Sequence, residues 1–177
     1  MRTVYLGFGS NLGDRVENIA RGQEFLRKSG VVIEQRSSLY ASEPFYFFEE
    51  DKKQPWFLNG VVKAETELLP VELLRVLQQV EKAMGRTSKS SLSSGGDGKI
   101  HYAPRILDID ILLYEDLILK REALEIPHPR FHLRRYDLVP FAEIAPRAVH
   151  PIFKKTIAEL LAECKDVSDV HRFTSSA

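Results

Sequence analysis

The sequence predicts an α+β domain on a ferredoxin-like plan: an antiparallel sheet formed in the order β-α-β-β-α-β, with helices packed on it and additions at the C-terminal end. Three observations carry this. Four segments of the 177-residue chain have the apolar and β-branched character of strands. Two segments between them repeat apolar residues at helical spacing. The order in which the two kinds alternate matches that plan and places the helices on one face of the sheet.

The elements follow in turn. Thr3 to Phe8 is apolar and breaks at Gly9-Ser10-Asn11-Leu12-Gly13-Asp14, a turn that ends in a helix cap. Val16, Ile19, Ala20 and Leu26 fall near helical spacing and predict a first helix to about Ser29, with Gly30 as its stop. Val31 to Tyr40 reads as a second strand and Phe57 to Thr66 as a third. Between them Ala41 to Trp56 is a long loop carrying Glu49-Glu50-Asp51-Lys52-Lys53, and loops of that length in a small domain are often functional. Leu73, Leu74, Leu77, Val80, Glu81 and Met84 form a helical stripe with Pro70 near its start. A Ser/Gly-rich stretch over 86–104 reads as a flexible loop. Ile106 to Tyr114 is the strongest strand. Leu117 to Ile126 predicts a small hairpin, and Arg130 to Phe141 and Thr156 to Glu163 predict further helices. No internal repeat is visible, so residues 1–177 read as one domain.

Composition narrows the function classes. The chain is 44% hydrophobic and 28% charged, as in ordinary globular proteins. Its formal net charge is zero, which argues against an extended basic surface for nucleic acid. The one cysteine, Cys164, has no partner for an intramolecular disulfide and reads as an idle reduced thiol. No apolar run approaches the roughly 20 residues needed to cross a bilayer. Met1 to Gly9 is too short and too soon interrupted for a signal peptide, so a cytoplasmic protein is expected.

The chemistry concentrates on the strongest strand. Alternation puts Leu107, Ile109, Ile111 and Leu113 on one face and Asp108 and Asp110 on the other. Two carboxylates so close repel each other unless a cation joins them. Hard oxygen ligands favour Mg²⁺ completed by water and substrate phosphate, or two metals clamping a phosphoryl group. The same pair on a solvated face would simply meet lysine or arginine. Arg105, just ahead of the pair, and the flexible loop leading into it favour a phosphate site.

Several motifs extend this reading. Ala103-Pro104-Arg105 leads into the acidic strand, and a long run passes from Ile126-Pro127-His128 through Arg134-Arg135-Tyr136 to Pro140. With Gly9-Ser10-Asn11-Leu12-Gly13, Ser42-Glu43-Pro44, Phe57-Leu58-Asn59 and Glu81-Lys82-Ala83-Met84-Gly85-Arg86, these segments in order resemble the 6-hydroxymethyl-7,8-dihydropterin pyrophosphokinases of folate biosynthesis. The resemblance spans roughly Thr3 to Pro151. It implies transfer of the β,γ-pyrophosphoryl unit of ATP to the pterin hydroxymethyl oxygen, leaving AMP, with ATP as co-substrate and two Mg²⁺ ions on Asp108 and Asp110. It implies a catalytic set of Arg86, Arg105, Asp108 and Asp110. Phe57 and Tyr136 would sandwich the pterin, Asn59 would bond its edge, and Ser42, Pro44 and Phe45 would supply further contacts. Gln78, Glu81, Tyr102, Arg105, Ile111, His128 and Arg134 would meet ATP. A monomer with small-molecule partners only, neither nucleic acid nor membrane, is implied. His132, His150 and His171 read as mostly solvent-facing.

The chain also departs from the family pattern. The loop over 86–104 is long, and its family arginines have no clear counterparts beyond Lys89, Lys99 and His101. Tyr102 replaces a tryptophan, and Ala123 and Pro129 stand where an arginine and an aromatic can occur. A ferredoxin-like domain that binds nucleotide or RNA without chemistry is one competitor, since the fold hosts many functions, and a family member that keeps pterin binding but has lost activity through the altered loop is another. In the first case two carboxylates on the sheet face would repel phosphate unless a metal intervened.

Overall fold

The structure is a computed structural model that describes residues 1–44, 55–85, 93–94, 100–101 and 104–174. Its frame is the predicted order: β1 (Arg2–Ser10), α1 (Arg15–Lys28), β2 (Val31–Arg36), β3 (Tyr40–Ser42), β4 (Phe57–Thr66), α2 (Pro70–Ala83) and β7 (Asp108–Tyr114). Two short strands, β5 (Ser93–Ser94) and β6 (Ile100–His101), pair with each other ahead of β7. Then come a hairpin of β8 (Leu119–Arg121) and β9 (Leu124–Ile126), a 3₁₀ turn at Phe131–Leu133, α3 (Arg135–Ile144), α4 (Ile157–Glu163) and β10 (Val170–Arg172). The main sheet runs β10-β3-β4-β1-β7, with β2 also on β4, and every pairing is antiparallel.

Local chemistry sets the boundaries. Asp14 caps α1 by accepting from the Glu17 N–H at 3.0 Å, and Gly30, at φ +84°, turns the chain after it. Pro70 occupies the first turn of α2, and Glu72 accepts from the Leu69 N–H at 2.7 Å. The second strand is shorter than expected: it breaks after Arg36 and resumes at Tyr40, so β2 and β3 pair with successive halves of β4. The Ser37 hydroxyl fills the break by accepting from the Val61 N–H at 2.9 Å. β10 was not legible in the sequence. It is three residues long and only its pairing with β3 makes it a strand.

The two helices of the predicted plan, α1 and α2, lie on one face of the sheet as expected, and the C-terminal helices α3 and α4 cover the other. Ile19 and Leu26 of α1 and Leu73, Leu77 and Val80 of α2 pack on Val4, Leu6, Phe8, Val62, Ile109 and Ile111. The opposite face carries Val61, Leu112 and Leu113, covered by Leu138 and Phe141 of α3 and Ile157 and Leu160 of α4. A one-domain chain with apolar residues on both faces of its central strands has to cover both. Leu113 belongs to this second layer because the β1–β7 register shifts at Tyr5/Leu6: Ile111 faces Leu6, yet Leu113 faces Tyr5. The bulge at Leu112 reverses the alternation beyond it. The expected shared face therefore holds for Leu107, Ile109 and Ile111 and fails for Leu113.

Phe141 anchors the second layer. It is fully buried, with ring centroids 4.7 Å from Tyr5 and 5.8 Å from Phe131. Phe141→Ala is expected to destabilise the protein by about 3–5 kcal/mol through cavity formation, measured by denaturant unfolding.

Candidate active site

β7 ends the sheet, so half its backbone polar groups face away from β1. Two segments each satisfy one of them. The Ile109 N–H donates to Glu81 Oε1 of α2 at 2.9 Å, and Leu112 O accepts from the His128 N–H at 3.0 Å. His128 follows a cis Ile126–Pro127 peptide at the end of β9. The start of β7 is tied to the first turn of the chain: Arg105 N–H donates to Asn11 Oδ1 at 2.6 Å, and Asn11 N–H donates to Arg105 O at 3.0 Å. Asn18 Nδ2 holds that turn from α1 through Leu12 O at 2.8 Å and Ser10 Oγ at 3.3 Å. The glycine-serine-asparagine motif is thus a clamp on the residue beside the acidic pair.

Asp108 and Asp110 share one face as expected, and both line a cavity of about 710 Å³. Arg105 Nη1 donates to Asp108 Oδ2 at 2.7 Å. Around Asp110 lie His128 Nε2 at 3.7 Å and Arg134 Nη1 at 4.0 Å. Burial, with Arg134 and Arg130 nearby, pushes the His128 imidazole down to about 3. His128 is therefore neutral at physiological pH and meets Asp110 as a dipole. The guanidinium of Arg134 also sits over the Tyr136 ring, 5.6 Å from its centroid.

The far end of the cavity is an amide-and-ring pocket. Asn59 and Ser42 are buried, and Asn59 Nδ2 donates to Ser42 Oγ at 2.7 Å. One of the two amide donors is therefore committed to holding the side chain, which fixes the orientation of the rest. Phe57 and Tyr136 line the cavity on different elements. Gly9 makes the floor: a Cβ there would come within 3.4 Å of Asn59 Oδ1 and 3.8 Å of Phe57 Cδ1. Burial raises the Tyr136 hydroxyl far above its usual range, so it stays neutral.

Most residues singled out from the sequence meet here. Ser42, Pro44, Phe57, Asn59, Gln78, Glu81, Arg105, Asp108, Asp110, His128, Arg134 and Tyr136 all line the one cavity. Ile111 does not: its side chain is buried between the sheet and α2, on the other face of β7. Glu81 is buried in the cavity wall. Phe45, Arg86 and Tyr102 lie outside the described residues. His150 is buried instead of solvent-facing, with Nδ1 accepting from Ile152 N–H at 3.2 Å, and His132 Nδ1 is buried too. His171 is exposed. The sequence reading missed Asp137, which is buried against the cavity. Its signal was an acidic residue inside the apolar run Tyr136-Asp137-Leu138-Val139.

Among the described residues no group of three or more His, Cys, Asp or Glu side chains encircles a point suited to a metal ion. Two carboxylates on one face fit a Mg²⁺ ion that takes its remaining ligands from water and phosphate. Asp137 stands apart with a different chemistry. Burial pushes its carboxyl from 3.8 up to about 7, against the opposing pull of Arg134.

Comparison with known proteins identifies a family. Residues 5–146 match the family model described as 7,8-dihydro-6-hydroxymethylpterin-pyrophosphokinase (HPPK). The chain is 40% identical over 163 residues to the 2-amino-4-hydroxy-6-hydroxymethyldihydropteridine pyrophosphokinase of Aquifex aeolicus, covering 92% of each. It is 38% identical over 173 residues to the protein of that name from Methylorubrum extorquens, covering 97% of this chain and 99% of the relative. Folic acid synthesis protein fol1 of Schizosaccharomyces pombe is 39% identical over 161 residues, but the match spans only 20% of that longer protein. Among solved structures, Plasmodium falciparum HPPK-DHPS with pteroate superposes with a TM-score of 0.68 at 16% identity, over 92% of this chain and 44% of that one. At that identity the likeness bears on the fold.

Two outcomes follow. Asn11→Ala removes the acceptor that clamps Arg105 and is expected to cost about 1–2 kcal/mol of stability by denaturant unfolding. The Asp137 carboxyl sets a pH dependence with a definite sign. Between pH 4 and 7 the unfolded chain has released a proton that the folded protein keeps, so this group makes stability fall as pH rises, by at most about 1.4 kcal/mol per unit. Melting curves in chelator should show Asp137→Asn gaining on the unsubstituted protein across that window, and parallel curves would refute the shift.

Proposed function

The chain belongs to the 7,8-dihydro-6-hydroxymethylpterin-pyrophosphokinase family, and we propose that this cavity carries out the family's pyrophosphoryl transfer as a magnesium-dependent reaction with ATP. The observation that carries the reading is the division of one cavity into two chemistries. Asn59, Ser42, Phe57 and Tyr136 form a ring-binding end, and Asp108, Asp110, Arg105 and Arg134 form an ionic end.

A flat heterocycle with donors and acceptors on its edge suits the first end. Phe57 and Tyr136 would stack on it while Asn59, held by Ser42, reads the edge. The hydroxymethyl arm of a pterin in that position points toward the carboxylates. Its oxygen attacks the β-phosphorus of ATP, the bond from that phosphorus to the bridging oxygen of the α-phosphate breaks, AMP leaves, and the hydroxyl proton is released. Such a transfer is a matter of alignment and charge neutralisation. Mg²⁺ held by Asp108 and Asp110 would neutralise the triphosphate and draw the two substrates together. Arg105 and Arg134 supply fixed positive charge beside it, and neutral His128 and Gln78 contribute hydrogen bonds toward the nucleotide. Arg86, Tyr102 and Phe45 are assigned to the same site by their sequence motifs. We take the protein to act as a cytoplasmic monomer on small molecules. No helix among the described residues is long and apolar enough to cross a membrane.

The test is AMP release from Mg-ATP that depends on added 6-hydroxymethyl-7,8-dihydropterin. ADP as product, or indifference to the pterin, would overturn the proposal. Asp110→Ala is expected to lower turnover by about 10³-fold or more while melting as the parent does. A variant with parental rate would remove the metal assignment.

A further inference from the structure

The segment that follows α4 reaches the ring-binding end of the cavity at three places. The first is β10. Its Val170 stands opposite Ser42 of β3, and Ser42 stands opposite Phe57 of β4, so one row runs across three strands. On either side of that pairing the Glu43 N–H donates to Asp169 O at 3.3 Å and the Phe173 N–H donates to Leu39 O at 2.8 Å. A strand as short as β3 frays when one side lies open to water. With β10 beside it, β3 becomes an interior strand.

The second contact lies at the entry to β4. The His171 ring is 5.5 Å from the ring of Trp56, the residue before Phe57. Phe173 is half-buried against the core, and the Arg15 guanidinium lies 6.0 Å from its ring centroid. The same arginine donates through Nη1 to Trp56 O at 2.6 Å.

The third contact is at α3. Asp166 Oδ2 accepts from the Arg135 N–H at 2.8 Å, and Oδ1 accepts from the Ser168 N–H at 2.9 Å. The first N–H groups of a helix have no partner within it, and Arg134 at the N-cap makes no side-chain capping bond. A carboxylate 31 residues further along the chain therefore caps the helix whose second residue is Tyr136. Ser42, Phe57 and Tyr136 are thus each held at, or one residue from, a contact of the same segment, and Asn59 is tied to Ser42 at 2.7 Å. The acidic strand β7 lies at the other end of the sheet order from β10.

We propose that residues 165–173 brace the pterin-binding end of the site: Asp166 is the positioning residue on the Tyr136 side, and β10 positions Ser42 and Phe57. The proposal rests on the pyrophosphokinase reading. A segment that served stability alone would, once loosened, affect pterin and nucleotide alike. A brace on one end of the cavity affects the pterin.

The experiment compares the full chain with Asp166→Ala, Phe173→Pro and Thr156→Ala, all titrated well below their melting transitions. Thr156→Ala is the control for lost stability, because it removes the cap of α4, where Thr156 Oγ1 accepts from the Glu159 N–H at 3.2 Å. Calorimetry measures binding of Mg²⁺ with a non-hydrolysable ATP analogue, and then of 6-hydroxymethyl-7,8-dihydropterin to the loaded protein. Asp166→Ala and Phe173→Pro are each expected to raise the pterin Kd by about tenfold and to leave the nucleotide Kd within about twofold. Thr156→Ala should lower the melting temperature and leave both constants within about twofold. An unchanged pterin Kd in either brace variant would overturn the proposal. So would an equal loss of affinity for the two ligands, or a comparable loss of pterin affinity in Thr156→Ala. The parent's pterin-dependent AMP release separates the two claims: if it is present, a negative result in the variants counts against the brace alone.

Discussion

The site depends on how β7 is held at the edge of the sheet. An edge strand offers unpaired backbone groups to solvent and bends easily, and neither suits a pair of carboxylates that must keep a fixed separation. Here β1 pairs with one side of β7, while the other side is closed by the Glu81 carboxylate at Ile109 and by the His128 amide at Leu112. The strand is thereby gripped between the two aspartates and again just beyond them. The grips come from different parts of the chain: α2 supplies Glu81, and the segment between β9 and α3 supplies His128. Asp108 and Asp110 are consequently positioned by both.

Charge follows the same logic. The cavity gathers acidic groups at Asp108, Asp110, Glu81 and Asp137, with Arg105, Arg130 and Arg134 among them. The imidazole of His128 is held neutral by burial and by the surrounding guanidiniums. Low-dielectric surroundings strengthen each attraction and penalise each unmatched charge. Asp137 shows the cost of that arrangement, being a group that the fold would keep protonated well above the usual carboxylate range.

Much of the frame was legible because periodicity reports burial directly. The alternating run through Asp108 and Asp110, the stripe through Leu73, Leu77 and Val80, and the glycine stop at Gly30 each correspond to an observed element. What escaped was decided by partners distant in sequence. β10 is three residues with little strand character of its own until β3 lies beside it. The bulge that sends Leu113 to the second layer comes from the register between β1 and β7, which strict alternation cannot reveal. His150 looked like a surface histidine, yet Phe131 and Phe153 pack against its ring at 5.3 and 4.4 Å.

The sequence alone determined the strand that carries the acidic pair, the family motifs around it and the residue types that could meet a pterin and a triphosphate. The strand follows from local pattern, and the pterin- and triphosphate-meeting residues follow from the resemblance that the motifs carry. Tertiary structure decided which of them share a cavity, and it changed the sense of several. Glu81 became a clamp on the strand because the strand ends the sheet. Asp137 became a buried part of the cavity wall because Gly7, with no side chain, leaves room for its carboxyl against β1. In each case the deciding quantity is a distance across the fold, set only once the two helical layers close on the sheet.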